Sequence, residues 1–342
     1  MAAAQWIDAH TPSVSVVDSR GLAVRNVAYC RHPLNPSIET RITRNHFDAA
    51  GRLVASWDPR LWSTAPKPNL ATTHDLQNQP LLVDSVDAGW QLSLLDQVGM
   101  ARSFWDGRGS QRHTEYDELQ RPTTVTEQMK DESPSVSERF AYAGAGDEFA
   151  VHNQCGQSIR HDHPAGRRSL YKYGVGGLLL AEETRFLLDL APVDWSSESA
   201  DARLEKDVFR TAQQYGPAGE MLCHTDAKVN LRAFAYNQAG ELQETRLRLA
   251  DASGPPQVLV GDIRYDAVGR IERERAANGV VTTARYAPED GRLIGLLSCD
   301  ARGTPLQHLE YAYYPVGNIS SVEDKVALTR YFNQQRIDPI NR

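Results

Sequence analysis

Read for alternation of apolar and polar positions, the chain is a succession of short segments with a period of two. Val14-Ser15-Val16-Val17, Leu81-Leu82-Val83, Trp90-Gln91-Leu92-Ser93-Leu94 and Thr123-Thr124-Val125-Thr126 are rich in β-branched, aromatic or aliphatic residues and predict strands. Turn-forming residues separate such segments. Asp87-Ala88-Gly89 predicts a hairpin turn, and Lys130 to Val136 an exposed turn. Ser253-Gly254-Pro255-Pro256 predicts a loop, and residues 63–80, with Pro66, Pro68 and Pro80, an irregular crossing. The longest apolar stretch, Leu178-Leu179-Leu180-Ala181, has strand length. It falls far short of the roughly 18 residues a helix needs to cross a bilayer.

A turn signature recurs along these segments: an aromatic residue, Asp or Asn, two variable residues, then Gly. Its clearest copies are Phe47-Asp48-Ala49-Ala50-Gly51, Tyr236-Asn237-Gln238-Ala239-Gly240 and Tyr265-Asp266-Ala267-Val268-Gly269. Each is followed by a polar and then an aliphatic residue: Arg52-Leu53, Glu241-Leu242 and Arg270-Ile271. The aromatic ends a strand, the Asp or Asn side chain closes a turn on nearby backbone, and Gly takes a left-handed conformation where a Cβ is costly. The aliphatic residue opens the return strand. Looser copies are Trp105-Asp106-Gly107-Arg108-Gly109, Tyr142 to Gly146, Tyr173 to Gly177, Tyr215 to Gly219 and Tyr313 to Gly317. Tyr286 to Gly291 carries an extra residue, Tyr116-Asp117 has Gln120 in place of Gly, and Asp18-Ser19-Arg20-Gly21 keeps only Asp and Gly. Intervals of roughly 20 to 30 residues between the later copies fit stacked repeats. The fold class predicted is mainly β: repetitive antiparallel hairpins forming a curled strip or partial hollow shell, with one short helical insertion.

The expected organisation has five parts. Residues 1–62 are an N-terminal β segment with the first turn signature, and 63–185 are β-hairpin repeats. Residues 186–210 are a helical insertion, capped by Asp194 or Ser196 and rich in Glu, Ala and Leu through Phe209. Residues 211–320 resume the hairpins, and 321–342 are an irregular or helical tail. The array is expected to end there cut rather than capped, which calls for a longer chain or a covering partner. Unpaired strand edges at both ends favour an obligate partner or self-association.

Composition adds bounds. The 342 residues carry a net charge of −7, which disfavours nucleic acid as partner, and Arg167-Arg168 is read as a solvated turn. Met1-Ala2-Ala3-Ala4-Gln5-Trp6 lacks the basic start and apolar core of a secretory signal, so synthesis in the cytoplasm is expected. Cys30, Cys155, Cys223 and Cys299 are far apart and form no metal or disulfide pattern.

Candidate chemistry is sparse. His161-Asp162-His163 has metal-ligand residue types, but Asp162 to Gly166 matches the spacing of the turn signature, so the triplet reads as a degenerate hairpin turn. Cys155 with His152 or His161 lacks an assignable orienting acid. Tyr173-Gly174-Val175-Gly176-Gly177 lacks the Gly-Lys-Ser/Thr ending of a phosphate loop and reads as a turn. Asp48, Asp106, Asp117 and Asp266 are assigned to turn closure, and Asp131-Glu132 to a solvated loop. Two facing carboxylates inside a β cavity could serve acid–base chemistry, but no pair can be singled out. No catalytic, cofactor-binding or metal residue is assigned, and no cofactor is expected.

The turn signature resembles the YD repeats of the RHS family. Thr11-Pro12-Ser13-Val14-Ser15-Val16-Val17-Asp18-Ser19-Arg20-Gly21-Leu22, Arg25-Asn26, Tyr29 and Arg31-His32-Pro33 resemble the start of the C component (TccC type) of bacterial insecticidal toxin complexes. So do Thr40-Arg41-Ile42-Thr43-Arg44, Asp58-Pro59-Arg60-Leu61, Ser85-Val86-Asp87-Ala88-Gly89-Trp90 and Thr114-Glu115-Tyr116-Asp117, and the likeness continues to about residue 335. The resemblance implies a structural shell component that encloses a toxic cargo together with a B component, released or extracellular as part of a virulence complex. The family's self-cleaving core lies later in the C protein. Asp338-Pro339-Ile340-Asn341 only partly echoes its Asp-Pro-x-x-Gly signature, so that activity is not expected of this chain. A second reading is a repeat protein repurposed as an enzyme or small-molecule binder, and a third is adhesion or carbohydrate recognition.

Overall fold

A computed structural model of the protein describes residues 10–32, 35–63, 65–332, 335–337 and 340–341. The N-terminal sequence through Trp6, Pro33 of the proline-rich loop, and Asp338-Pro339 lie outside the described residues. The described chain is mainly antiparallel β-hairpins. It divides into two compact units. One holds Met1–Ala141, Arg160–Arg167 and Phe186–Leu204, and the other Tyr142–Ile159, Arg168–Arg185 and Glu205–Arg342.

In the first unit, strands from Ser13–Val17 to the strand beginning at Ser135 pair antiparallel in chain order, each with the next. In the second, the strands from Leu179–Phe186 to Ile319–Asp324 do the same. Such a meander places alternate turns on the same edge.

The clearest copies of the turn signature share one backbone geometry. In the Asp48 turn, Asp48 N–H donates to Arg52 O at 3.0 Å and Gly51 N–H to Asp48 O at 3.1 Å. Gly51 sits at φ 81, Gly240 at 81 and Gly269 at 83. The register slips by one residue beside each aromatic, so Phe47 faces Leu53, Tyr236 faces Leu242 and Tyr265 faces Ile271. This is a tight turn closed by a bulge glycine, as the sequence predicts. Asp266 Oδ1 accepts from the backbone N–H groups of Val268 and Arg270, both at 2.9 Å. The same pair of bonds recurs at Asp75, Asp96, Asp226 and Asp300. No aromatic precedes those four, so the sequence pattern passed over them. Gln120, Asn78 and Val229 fill the glycine position at φ 60, 69 and 65.

The aromatic has a second role that the sequence did not show. Tyrosine hydroxyls donate to the first carbonyl of the preceding return strand: Tyr236 to Met221 at 2.9 Å, Tyr265 to Leu242 at 2.7 Å, Tyr286 to Ile271 at 2.9 Å and Tyr313 to Leu293 at 2.6 Å. In the first unit Tyr116 bonds Ala101 O at 2.8 Å in the same way. Arginines after the turn reach onward. Arg20 donates to Asp48 O at 2.8 Å, Arg52 to Asp75 O at 3.0 Å and Arg270 to Gly291 O at 2.6 Å. These hairpins are thus tied to neighbouring ones through side-chain bonds to backbone carbonyls.

Several segments depart from the sequence reading. The insertion at 186–210 is helical only over the 3-10 turn Ala200–Arg203. Its backbone is claimed elsewhere. Trp195 N–H donates to Val136 O at 2.9 Å, Asp194 Oδ1 accepts from Val136 N–H at 3.1 Å, and Arg203 donates to Pro192 O at 2.6 Å. Pro192 also removes a donor from any longer helix. A short helix, Asp147–Ala150, follows Gly146 instead, and Tyr142 to Gly146 is no bulge turn, because Gly146 lies at φ −70. Leu70–His74 is a strand inside the expected crossing at 63–80. The tail is not helical among the described residues of 321–342: Val322 and Glu323 pair with Asn341 and Ile340. A chain end with strand partners need not supply helical hydrogen bonds of its own.

Most strand residues are half-buried, and among the described residues only one cluster forms a small core: Val193, Trp195, Ala200 and Leu204, flanked by Val136 and Leu187.

Candidate functional site

The residues singled out in the sequence do not assemble into a catalytic centre. Among the described residues, no three His, Cys, Asp or Glu side chains gather as a metal site. Cys155 is exposed and directs its thiol at Gly146 O, 3.9 Å away. Gly177 closes a bulge turn at φ 78, as its spacing predicts. His161 and Asp162 are not turn residues: both lie in the strand Ser158–His163, and the loop to Gly166–Tyr173 is only Pro164-Ala165. Alternation then sends Asp162 to one face and His161 and His163 to the other. The two histidine rings are 5.2 Å apart, and His161 stacks on Phe140 at 4.3 Å. His161 Nε2 lies 2.8 Å from Glu138 Oε2.

Asp162 is fully buried. Arg139 Nε donates to its Oδ2 at 2.9 Å, and Arg167 Nε to its Oδ1 at 2.5 Å. Arg160 Nε stands 3.4 Å from Oδ2. The Arg167 guanidinium also holds Asp201 at 2.6 Å and lies 5.7 Å from the Trp195 ring. Burial alone would lower the Arg167 pKa, but bonds from Asp201 and Asp162 outweigh it and hold it above its ordinary value. The Arg167 bond in turn holds the Asp201 carboxyl below its usual range. Trp195 caps the group, with its Nε1–H donating to His163 O at 3.2 Å. Arg167, expected in a solvated turn, is therefore a structural cation. Its signal was available only as a polar residue in strand register with Asp162, which one sequence does not distinguish from surface charge.

The second unit has a counterpart. The strand Gln257–Tyr265 bulges so that Asp262 and Ile263 oppose Glu274 alone, between the pairs Gly261–Arg275 and Arg264–Arg273. Asp262 takes φ 50, Ile263 is buried, and Asp262 remains accessible. Arg264 Nε donates to Asp262 Oδ1 at 3.0 Å and Arg273 Nε to Oδ2 at 2.9 Å, while Arg275 is 3.7 Å from Oδ2. Bonds from Arg273 and Arg264 hold the Asp262 carboxyl below its usual range.

A groove of about 670 Å³ opens in the first unit, with Phe104, Val125, Phe140, Arg102 and Arg112 among its lining residues. Its size falls in the range of ligand pockets. Arg112 is 3.6 Å from Glu138, and Arg102 lies 5.6 Å from the Tyr116 ring.

No family model matches the chain. Over 97% of its length it is 33% identical to toxin subunits YenC1 and YenC2 of Yersinia entomophaga. It spans 36% and 37% of those two relatives, so they are much longer proteins. A crystal structure of TcdB2-TccC3 superposes on 96% of the chain with a TM-score of 0.89 and 33% identity, using 16% of the solved chain. A Photorhabdus luminescens Tc holotoxin pore matches with a TM-score of 0.88 and 33% identity over 96% of the chain and 16% of its own. The likeness is thus to components of Tc toxin complexes.

Proposed function

We propose that this chain is wall material of a toxin-complex C component: an RHS-type strip of YD hairpins that encloses cargo together with a B-type partner and leaves the cell within that complex. The observation that carries the reading is the match of nearly all of this chain to part of toxin subunits YenC1 and YenC2 and of TcdB2-TccC3. The physical design agrees with it. Turn-closing Asp residues and the tyrosine and arginine ties stiffen a sheet without a thick core. Exposed apolar strand residues, among them Val14, Val16, Val17, Ile38 and Leu94, leave surface for a partner or cargo. The strand Ser13–Val17 is exposed at every residue.

Size-exclusion chromatography with light scattering, on the purified chain alone and mixed with a toxin-complex B component, tests the proposal. A stable equimolar complex is expected. A lone monomer that ignores the partner overturns it.

A further inference from the structure

The arginine cluster of the second unit is arranged to receive a ligand. Arg264 and Arg273 face each other directly across two strands, a juxtaposition of like charges that is unfavourable unless neutralised. One carboxylate, Asp262, answers both through their Nε atoms and sits near Arg275. To do so it occupies a left-handed conformation inside a strand, which costs a non-glycine residue energy. The side chains of Arg264 and Arg275 are 66% and 55% exposed, so their outer N–H groups face solvent. Three guanidinium groups share the Asp262 carboxylate, and the next carboxylate on this face, Glu244 beside Gly261, is already bridged by Arg246, so positive charge remains in excess. Bulges of this kind re-aim side chains at sites, and planar guanidinium forks suit oxyanions bidentately.

We propose that Arg264, Arg273 and Arg275, held in place by Asp262, bind a dianionic phosphate group. The doubly negative charge offsets the excess positive charge, and tetrahedral oxygens accept from several forks at once. A carboxylate offers one negative charge and two oxygens, so it fits less well. The buried cluster at Asp162 lacks this capacity, because Asp201 adds a second carboxylate and Trp195 covers the group.

Isothermal titration of the purified chain with inorganic phosphate, at low salt and slightly above neutral pH, tests the site. Phosphate is then mostly dianionic, its second pKa being about 6. One saturable site is expected, weakened about tenfold or more in Arg264→Gln/Arg275→Gln and by high salt. Arg275→Lys should retain part of the affinity, and acetate should bind far more weakly. Arg41→Gln, at an arginine paired with Glu39 in the first unit, should bind like the parent. Phosphoserine titrated in parallel separates a free anion from a monoester carried on a protein, and binding of either at these arginines supports the site. Absence of saturable heat with both ligands overturns the proposal, as does unchanged affinity in the double variant.

Discussion

Two aspartates stand mid-strand among arginines, one in each unit, and their surroundings give them opposite characters. Asp162 is closed off by Trp195 and shares Arg167 with Asp201. Asp262 meets water, and two of its three arginines are more than half exposed. A buried ion pair has a large desolvation cost and is severe to break, whereas an exposed one is screened and contributes little. The same residue types therefore hold structure in one place and leave charge available in the other.

The sharpest way to break this comparison is a matched pair of substitutions. Asp162→Asn should destabilise the protein by about 4 kcal/mol in urea unfolding, because Arg139 and Arg167 lose their buried counter-charge. Asp262→Asn should lower the unfolding midpoint far less, because its arginines are exposed and screened. Equal effects would mean that burial does not separate the two clusters.

A somewhat smaller effect is expected from opening the first cluster. Trp195→Ala removes the largest fully buried side chain and should cost about 3 kcal/mol. It should also make the remaining stability more sensitive to salt, as the Asp162 ion pairs become wet. Salt sensitivity equal to the parent's would show that Trp195 fills space without shielding charge.

The smallest effect is common to both clusters. The carboxyls of Asp201 and Asp262 are held below the ordinary aspartate range, chiefly by bonds from Arg167 and Arg273 respectively. Their contribution is complete above the unfolded value and disappears as pH falls through the lower folded values. Urea unfolding at a series of pH values should show no loss from these groups down to about pH 5 and progressive loss below about pH 4. Stability rising on acidification through that range would contradict the assigned direction.

Much of the fold was legible in the chain. The aromatic-Asp-x-x-Gly signature marked the Asp48, Asn237 and Asp266 turns because a bulge glycine and an Asx closure are local requirements. Turns at Asp75 and Asp226 carry neither the tyrosine, tryptophan or phenylalanine nor the glycine of the signature, with Asn78 and Val229 in the left-handed position, so nothing in the pattern marks them. The composition of 186–210 favours a longer helix than the 3-10 turn Ala200–Arg203 that forms. The segment's backbone and side-chain groups are engaged by Val136, His163 and Arg203 instead. The candidate site was the least legible. His161-Asp162-His163 drew attention for its residue types, but the partners that define Asp162 come from positions 139, 167 and, through Arg167, 201.

The sequence by itself determined the period-two strands, the turn chemistry and the hairpin register, because each depends on residues a few positions apart. Only the tertiary structure decided which charges are buried. The hydroxyls of Tyr236 and Tyr265 find carbonyls 15 and 23 residues away, and Arg167 reaches Asp201 across 34. Strand pairing and loop docking create those distances, and burial sets what each charge is worth there.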